Sequence, residues 1–468
     1  MSIFRAYDIR GEFGREFDND TAYRIGRCLP GLLDARRVLV GRDARLSSAG
    51  LHDALGRGLI ESGADVDDLG LATTPMVYCF TARDGYDASV QITASHNPPA
   101  HNGFKISRAG ARPVGFDTGL AELERRVAGD LPPLAAQAGR LRQTPRRDAF
   151  IDFLRPWIPD LSGLRMAVDC SDGMAGLVAR DLFGRQALYR NDTPDGRFPH
   201  HGPNPLEAGN RVQLAALIRE QRLDVGVIFD GDADRVMFLD EAGAFIQPDY
   251  LIPLIAGRFL RTAPGAIVLC DIRTSRGVIE ALVAAGAQPV LWKVGHAFAK
   301  QKLREIGAVC GGELAGHYYF RDFFCCDSGE LAALVVLGEL AAAHRRGLSF
   351  RQLLAPVCRY ANSGEVNFAI TRKADAMAAV RAALLAETAP QRELDFDGVR
   401  LDFPEWWISL RPSNTEPYLR LILEADTPAL LAARRAQVER LLAPFAEQRQ
   451  FADSGRVEQM NSATRTAN

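Results

Sequence analysis

Several features that define other protein classes are missing from this chain of 468 residues. It has only eight cysteines, none in a CxxC pair, and the adjacent Cys325 and Cys326 are poorly placed for a metal site. We therefore predict reduced thiols and a cytoplasmic protein. The formal net charge of −2 gives no general attraction for nucleic acid or for an anionic membrane, so neither partner is expected.

Long hydrophobic runs and nucleotide-binding strings are absent as well. The longest apolar stretch, 331–343, is shorter than a membrane span and contains Glu339. Arg5, Asp8 and Arg10 argue against an N-terminal signal peptide. No GxGxxG follows a predicted strand and no Walker A string exists, so nucleotide binding is not favoured. The composition, 47% apolar and 24% charged, is that of an ordinary globular protein, and the length suggests about three domains, with four allowed.

A pattern of apolar strand, polar turn and amphipathic helix repeats along the chain. It is found at 38–43, 166–173, 225–235 and 266–276. Strands that alternate with helices predict an α/β fold with parallel or mixed sheets. Ligands in such folds bind at the carboxyl ends of strands, where these polar turns lie. Near the C-terminus, Thr427 predicts the cap of a helix that begins at Pro428 and ends at Leu442.

An acidic string at 230–235, Asp-Gly-Asp-Ala-Asp-Arg, follows the apolar run 225–229. Asp230, Asp232 and Asp234 would repel one another at close range unless a cation lay among them. Oxygen ligands at this spacing suit a hard ion such as Mg2+. A solvated acidic turn is the alternative, but three alternating carboxylates directly after a strand favour a metal site.

A second string at 93–98, Thr-Ala-Ser-His-Asn-Pro, also follows an apolar stretch. Its Asn-Pro pair indicates a tight turn that presents Ser95 at the end of a strand. A serine there can be a nucleophile or can carry a phosphoryl group. The alternative is a turn whose side chains merely bond their own backbone. Together with a divalent-metal loop, the serine turn indicates phosphoryl transfer.

Two further strings place polar groups in short turns. The glycine-rich segment 311–317 carries Glu313 and His317. The segment 411–417 follows the predicted strand 406–410 and supplies Arg411, Ser413, Asn414 and Thr415. A guanidinium group with several neutral donors suits a phosphate dianion, although a polar turn after an edge strand would look similar.

In this order, the four strings resemble those of the α-D-phosphohexomutases, and most closely those of the bacterial phosphomannomutase/phosphoglucomutase group. Segments 4–11 and 41–48 are similar to the N-terminal signatures of that family. The resemblance implies an α/β fold of four domains around a central cleft, the first three of related mixed-sheet topology and the fourth a smaller α+β domain. We expect a phosphoserine domain at 1–140, a metal domain at 141–246, a sugar-binding domain at 247–357, a phosphate-binding domain at 358–452 and a disordered tail at 453–468.

The resemblance also implies a mechanism. Ser95 would carry a phosphoryl group and give it to a hexose monophosphate. The resulting hexose 1,6-bisphosphate would reorient and return a phosphoryl group to the serine, so glucose 1,6-bisphosphate would act as an activator. Mg2+ would be bound by Asp230, Asp232, Asp234 and an oxygen of the Ser95 phosphate.

Roles in the rest of the site are implied in the same way. Glu313 would accept hydrogen bonds from two sugar hydroxyls. The implied substrate-binding residues are Tyr7, Arg10, Arg273, His296, Glu313, Arg411, Ser413, Asn414 and Thr415. Beside Ser95, the implied catalytic residues are His96, Lys105, Arg235 and His317. Several of these could serve as the general base, and the sequence does not choose among them.

One position departs from the family pattern. Many relatives carry serine where this chain has Ala315, so a hydroxyl that would contact the sugar is missing. One neutral hydrogen bond is worth about 1 kcal/mol, enough to shift the preference between glucose and mannose. Asn414 favours the glucose/mannose group, because phosphoglucosamine mutases usually have glycine there. A phosphoglucosamine mutase is the second interpretation.

Other classes fit the strings less well. A haloacid-dehalogenase-type phosphatase would leave Ser95 and Arg411 without a role. A non-catalytic sugar-phosphate-binding protein would not need an intact serine and three intact aspartates. Since the chain has no coiled-coil heptads, we predict a monomer that acts on small sugar phosphates.

Overall fold

The structure, a computed structural model, describes residues 2–413 and 418–446. The chain divides into two compact units. The larger unit comprises Met1–Thr274 and Val278–Val357, and the smaller comprises Ser275–Gly277 and the chain from Cys358 onward. No disulfide joins any of the eight cysteines, all of which lie within the described residues.

The first sheet of the larger unit contains both parallel and antiparallel pairs. Its strands are β1 (Ile9–Glu12), β2 (Arg37–Arg42), β3 (Asp65–Leu71), β4 (Ala88–Ile92), β5 (His101–Arg108), β6 (Arg112–Pro113) and β7 (Leu141–Gln143). The accompanying helices are α1 (Asn19–Leu33), α2 (Ser48–Glu61), α3 (Thr74–Arg83) and α4 (Leu120–Ala128). The strand order is β1-β5-β4-β2-β3-β7, with β6 beside β5.

The second sheet has the order β12-β11-β10-β8-β9 once its strands are numbered along the chain. They are β8 (Met166–Asp169), β9 (Leu188–Arg190), β10 (Val225–Phe229), β11 (Val236–Leu239) and β12 (Phe245–Ile246). Its helices are α5 (Arg147–Leu154), α6 (Ala179–Phe183) and α7 (Val212–Gln221). Every residue of β10 is buried, as expected for a strand covered on both faces.

The third sheet has the order β14-β13-β15-β16-β17. Its strands are β13 (Ile267–Asp271), β14 (Gln288–Trp292), β15 (Cys310–Gly312), β16 (Tyr318–Phe320) and β17 (Cys326–Asp327). The helices of this part of the chain are α8 (Ile252–Leu260), α9 (Arg276–Ala284), α10 (His296–Ile306), α11 (Gly329–His344) and α12 (Phe350–Leu354).

The three sheets share one topological feature that positions the predicted loops. In each sheet a run of parallel strands ends beside an antiparallel one: β7-β3-β2-β4 beside β5, β9-β8-β10 beside β11, and β14-β13-β15 beside β16. The antiparallel strand directly follows its parallel neighbour along the chain: β5 follows β4, β11 follows β10, and β16 follows β15. The serine loop, the acidic loop and the Glu313 loop all occupy this same connection, each in its own sheet.

The smaller unit holds an entirely antiparallel sheet. Its strands are β18 (Ala361–Asn362), β19 (Val366–Ala369), β20 (Arg392–Leu394), β21 (Val399–Asp402), β22 (Trp406–Pro412) and β23 (Tyr418–Ala425). Two helices accompany it, α13 (Lys373–Glu387) and α14 (Pro428–Leu442). The predicted cap of α14 is confirmed, because the Thr427 side chain accepts a hydrogen bond from the Leu430 amide at 3.2 Å.

The apolar core of the larger unit ties its sheets together. Its largest cluster includes Met76 of α3, Phe229 of β10, Val268 of β13 and Leu334 of α11. Helix α3 of the first sheet therefore packs into the core of the next two, which fixes its N-terminal end beside the acidic loop. Among the helices of residues 2–413 and 418–446, none is both long enough and apolar enough to cross a membrane.

Candidate active site

The serine loop connects β4 to β5 and brings Ser95 to the acidic loop. Ser95 is buried, and its backbone is left-handed, with φ of +53°. Its amide donates to Thr93 Oγ1 at 2.9 Å, and its hydroxyl donates to Asp230 Oδ2 at 2.7 Å. A Cβ at position 231 would meet the Ser95 carbonyl oxygen at 2.5 Å, so only Gly231 permits this approach. Ser95 and Asp230, 135 residues apart in sequence, are in direct contact.

The acidic loop buries three carboxylates side by side. Asp230, Asp232 and Asp234 are fully buried, with one oxygen of each within 4.8 Å of the others. Lys105 Nζ lies 2.7 Å from Asp232 Oδ2 and also pairs with Asp234 Oδ2. Asp232 Oδ1 and Asp234 Oδ1 accept no hydrogen bond from the described residues. Buried carboxylate oxygens with free lone pairs fit a hard divalent cation such as Mg2+.

The three carboxylates of this loop repel one another although cationic side chains lie close to them. Burial and repulsion from Asp232 and Asp234 raise the pKa of Asp230 well above its ordinary value. Burial lowers the pKa of Lys105, but the neighbouring carboxylates outweigh that effect and raise it overall, so the ammonium group stays charged. Arg235 is more distant, with Nε 3.9 Å from Asp230 Oδ2. The repulsion that raises the pKa of Asp230 is what a bound cation would relieve.

A chain of polar contacts joins the acidic loop to the third loop. Arg235 Nε donates to His317 Nε2 at 2.9 Å, so that ring nitrogen is an acceptor and the ring proton lies on Nδ1. His317 Nδ1 is 2.7 Å from Asp327 Oδ2, and Lys300 Nζ is 2.7 Å from Asp327 Oδ1. Burial alone would raise the pKa of Asp327, but Lys300 and His317 lower it well below its ordinary value. Asp327 therefore orients His317, and His317 orients Arg235.

Two further predicted histidines lie beside these groups. His96 Nδ1 is 3.2 Å from Ser95 Oγ, and the His296 ring centroid is 5.7 Å from that of His317. Burial, reinforced by neighbouring cations, lowers the pKa of both His96 and His296 well below the ordinary value. Both imidazoles are therefore neutral near pH 7 and able to accept a proton or a hydrogen bond.

The third loop holds Glu313 at the start of α10. The Gly295 amide donates to Glu313 Oε1 at 2.7 Å, and the Tyr319 hydroxyl donates to Glu313 Oε2 at 2.5 Å. The Tyr7 ring packs edge-on against His296 with centroids 5.8 Å apart. Each Glu313 oxygen keeps a second lone pair, which is what hydrogen bonding to a pair of hydroxyls requires.

Two predicted arginines are held by acids on their own segments. Arg10 Nη1 donates to Asn97 Oδ1 of the serine loop at 2.9 Å, and Nη2 pairs with Asp8. Arg273 Nη2 donates to Asp271 Oδ2 at 2.8 Å. Arg10 is thus tied to the serine loop, whereas Arg273 lies at the end of β13.

The smaller unit contains the predicted phosphate-binding loop between β22 and β23. Arg411 donates from Nε and Nη2 to the two carboxylate oxygens of Asp397, both at 3.0 Å. Lys373 Nζ donates to the Ser413 carbonyl at 2.8 Å. The remaining two predicted contacts lie outside the described residues: Asn414 and Thr415.

Models of one protein family match four consecutive parts of the chain. The α/β/α domains I, II and III of phosphoglucomutase/phosphomannomutase match residues 1–130, 148–243 and 247–360, and its C-terminal domain matches residues 365–441. The chain belongs to the phosphoglucomutase/phosphomannomutase family. The predicted family and the four-domain α/β layout are thereby confirmed, and the protein is an enzyme, a phosphohexomutase.

Individual family members match over nearly the whole chain. A phosphomannomutase from Escherichia coli is 38% identical over 459 residues, covering 94% of this chain and 99% of the relative. A protein described as phosphohexose mutases from Xanthomonas campestris pv. campestris strain B100 is 39% identical over 454 residues, with the same coverage. The crystal structure of a phosphoglucomutase/phosphomannomutase family protein from Burkholderia thailandensis has a TM-score of 0.85 at 30% identity, covering 95% of this chain and 98% of that one.

The structure of this phosphohexomutase brings most of the predicted site residues of the larger unit into one connected group. Its members are Ser95, His96, Lys105, Asp230, Asp232, Asp234, Arg235, His296 and His317. Among the residues that sequence reasoning missed, Thr74, Tyr319 and Asp327 contact this group or Glu313, and Lys300 contacts Asp327. Thr74 precedes a proline and Asp327 precedes the helix cap Ser328, so both read as ordinary helix-start residues.

Proposed function

We propose that this enzyme interconverts hexose 1-phosphates and hexose 6-phosphates, those of glucose, mannose or both, through a phosphorylated Ser95 and a hexose 1,6-bisphosphate. The observation that carries the proposal is the 2.7 Å contact between Ser95 Oγ and Asp230 Oδ2. It joins a serine on a tight turn to a buried cluster of three acids, and phosphoryl transfer through a phosphoserine would use the hydroxyl as the carrier and the acids to hold the metal ion.

The chain's own residues account for the handling of charge at this centre. Asp230, Asp232 and Asp234 would hold Mg2+ together with an oxygen of the Ser95 phosphate. The metal ion, when bound, neutralises charge on the transferred phosphoryl group. Lys105 remains charged because its carboxylate neighbours raise its pKa, so it adds a fixed positive charge at the same place.

Proton transfer at the sugar hydroxyl falls to a group that is neutral near pH 7. His96 and His296 both meet this condition, because burial lowers the pKa of each. His317 is already committed to Arg235 through Nε2, so we assign it and Arg235 to positioning and charge stabilisation.

Substrate would bind to the remaining predicted groups. Glu313, whose carboxylate accepts from the Gly295 amide and the Tyr319 hydroxyl, would accept hydrogen bonds from two ring hydroxyls, and both orientations of the sugar could use these contacts. The phosphate that is not reacting would be bound by the loop of Arg411, Ser413, Asn414 and Thr415. Tyr7, Arg10, Arg273 and His296 would complete the contacts. We further propose a monomer in the cytoplasm, and light scattering on the purified protein would test the monomeric state.

The decisive experiment is a coupled assay with Mg2+, glucose 1-phosphate and a trace of glucose 1,6-bisphosphate, following glucose 6-phosphate. We expect turnover that requires both the metal ion and the bisphosphate, and its loss in Ser95→Ala. Ser89→Ala is the matched control, because Ser89 is equally buried on β4 and its hydroxyl has no hydrogen-bond partner among the described residues. Full activity in Ser95→Ala would overturn the proposal. The same assay with mannose 1-phosphate, and then with glucosamine 1-phosphate, would establish which sugar is preferred.

A further inference from the structure

The segment 41–48, Gly-Arg-Asp-Ala-Arg-Leu-Ser-Ser, contains none of the predicted site residues. It begins with the last two residues of β2, which lies next to β4 in the first sheet, so the loop that follows β2 lies beside the serine loop. Arg45, at its centre, is only 2% exposed. A charged side chain is rarely buried so completely unless its hydrogen-bonding groups are all engaged.

The guanidinium group of Arg45 binds the backbone of the serine loop. Its four acceptors there are the carbonyl oxygens of Ser95 (2.8 Å), Asn97 (2.6 Å), Pro98 (2.7 Å) and His101 (3.0 Å). Nε donates to Asp43 Oδ2 at 3.2 Å. Arginine has five N–H donors on its side chain, and this arrangement supplies an acceptor for each.

Asp43 fixes the arginine in turn. Its Oδ1 accepts from the Arg45 amide at 3.0 Å and from the Ser48 hydroxyl at 2.5 Å. The far side of the guanidinium group is covered by the Phe198 ring, whose centroid is 5.0 Å from Arg45 Cζ. The neighbouring Gly196 lies so close that a Cβ there would meet the Ala44 carbonyl oxygen at 2.2 Å. The arginine is therefore enclosed between the serine loop and the segment 195–198.

The serine loop needs such a partner because its own backbone does not satisfy all of these carbonyls. Between β4 and β5 the chain turns sharply, with Ser95 in a left-handed conformation that is unfavourable for any residue except glycine. Backbone hydrogen bonds within this turn run from Asn97 to the Ala94 carbonyl and from His101 to the Pro98 carbonyl. Of the four carbonyls that Arg45 binds, only that of Pro98 receives one of these backbone hydrogen bonds, and a carbonyl shielded from water without a donor is costly, so a side chain that donates to all four carbonyls stabilises this particular turn.

We propose that Arg45 is a positioning residue for Ser95: it binds the loop carbonyls and so holds Ser95 Oγ at the acidic loop. This proposal rests on the function proposed above. Arg45 acts through the backbone, because all its donors are already used and none is left for a phosphate. Its loss should therefore affect the rate of phosphoryl transfer more than the binding of the sugar phosphate.

Arg45→Lys is the informative variant, because it keeps the charge but offers at most three donors on a different geometry. Arg27→Lys is the matched control. Arg27 is also buried, at 5% exposure. It donates to the Tyr23 hydroxyl on its own helix, α1, and to Ser62 Oγ directly after α2. It belongs to no part of the candidate site.

Two measurements test the proposal, hydrogen exchange of the loop and steady-state kinetics. In Arg45→Lys we expect the amides of residues 94–102 to exchange at least ~10-fold faster, and those of α1 to be unchanged. We expect kcat to fall at least ~10-fold while KM for the sugar phosphate changes less than ~3-fold. Arg27→Lys should leave the loop amides and kcat within about twofold of the wild type.

The outcomes separate this proposal from the proposed function. Unchanged exchange at 94–102 in Arg45→Lys would overturn the role of Arg45, whatever the substrate. A wrong substrate would abolish turnover in all variants but leave the exchange difference intact. If Arg45→Lys did not fold, Phe198→Leu would be measured instead: it removes only the ring that covers the guanidinium group, and faster exchange at 94–102 would support the proposal while unchanged exchange would refute it.

Discussion

Thr74 is predicted to set the affinity of the acidic loop for its metal ion. It is fully buried at the start of α3, and its hydroxyl donates to Asp232 Oδ2 at 2.5 Å across 158 residues of sequence. Its amide also donates to the Asp232 carbonyl at 3.0 Å. These two bonds fix both the backbone and the carboxylate of Asp232 and leave Oδ1 without a hydrogen bond from the described residues, so Oδ1 is the oxygen that can face a cation.

Thr74→Val removes the hydroxyl while keeping the branched shape and the backbone donor. A hydrogen bond to a charged group is worth about 1.5–3 kcal/mol. In the variant, Lys105, 2.7 Å from the same Asp232 oxygen, still stabilises its negative charge, so only part of this free energy is lost. Substitutions of residues that orient a metal ligand typically weaken metal binding about 10- to 100-fold. We therefore expect Thr74→Val to weaken Mg2+ binding by roughly 10- to 30-fold, the lower part of that range.

Isothermal titration of the purified enzyme with Mg2+, repeated with Mn2+, measures this affinity without turnover. Thr81→Val is the matched control, because the Thr81 hydroxyl is equally buried on α3 but donates to the Val77 carbonyl of its own helix at 2.6 Å. Activity in Thr74→Val should recover at high metal concentration. If both variants bound Mg2+ as the wild type does, or lost affinity equally, the reasoning about Asp232 would be wrong.

Three further predictions concern other parts of the molecule. Tyr319→Phe removes the donor to Glu313 Oε2 and should raise KM for hexose phosphates about 10-fold. The assay uses glucose and mannose 1-phosphates, and an unchanged KM for both would contradict the prediction. Leu419→Ala, at a fully buried position of β23, should destabilise the smaller unit by about 2–5 kcal/mol, as measured by urea unfolding with tryptophan fluorescence. A smaller loss of stability would contradict the prediction and would mean that neighbouring side chains move in to fill the cavity. Burial lowers the pKa of His52, but its 3.0 Å contact with Asp68 outweighs burial and raises that pKa overall. The pairing therefore stabilises the fold below about pH 6.5, and this stabilisation is lost as the pH rises through the raised pKa of the folded state. His52→Gln should lower Tm more at pH 5.5 than at pH 9, and equal losses of Tm at the two pH values would refute this pH dependence.

The parts of the site that could be predicted are those whose chemistry is concentrated in a few consecutive side chains. Asp230, Asp232 and Asp234 indicate a cation because three carboxylates in one short turn repel one another strongly unless a positive charge lies among them. The strand before them is recognisable as an apolar run, and the same holds for β4 before Ser95. The cap at Thr427 was predictable for the same reason, since the cap and the helix it begins are neighbours in sequence.

The topological equivalence of the three loops is less visible in the sequence. Strands β4, β10 and β15 are followed by antiparallel neighbours, yet nothing in their apolar residues distinguishes a parallel partner from an antiparallel one. The short connections do carry that information, because a parallel crossover needs a dozen or more residues. The serine, acidic and Glu313 loops are too short for such a crossover, which forces the next strand to run antiparallel and leaves each loop at the carboxyl end of its parallel strands.

Residues that bind backbone groups, or that act through a second side chain, have no recognisable pattern in the sequence. Asp327 matters because it contacts His317 and Lys300, which come from separate segments, and in sequence it is only an acid before a helix cap. Arg45 is the extreme case, since four of its five acceptors are carbonyl oxygens that every residue possesses. A short run of consecutive residues can indicate which side chains take part in the reaction. The groups that hold those side chains in place become recognisable only when the distances between segments are known, and for this reason the supporting residues of the site had to come from the structure.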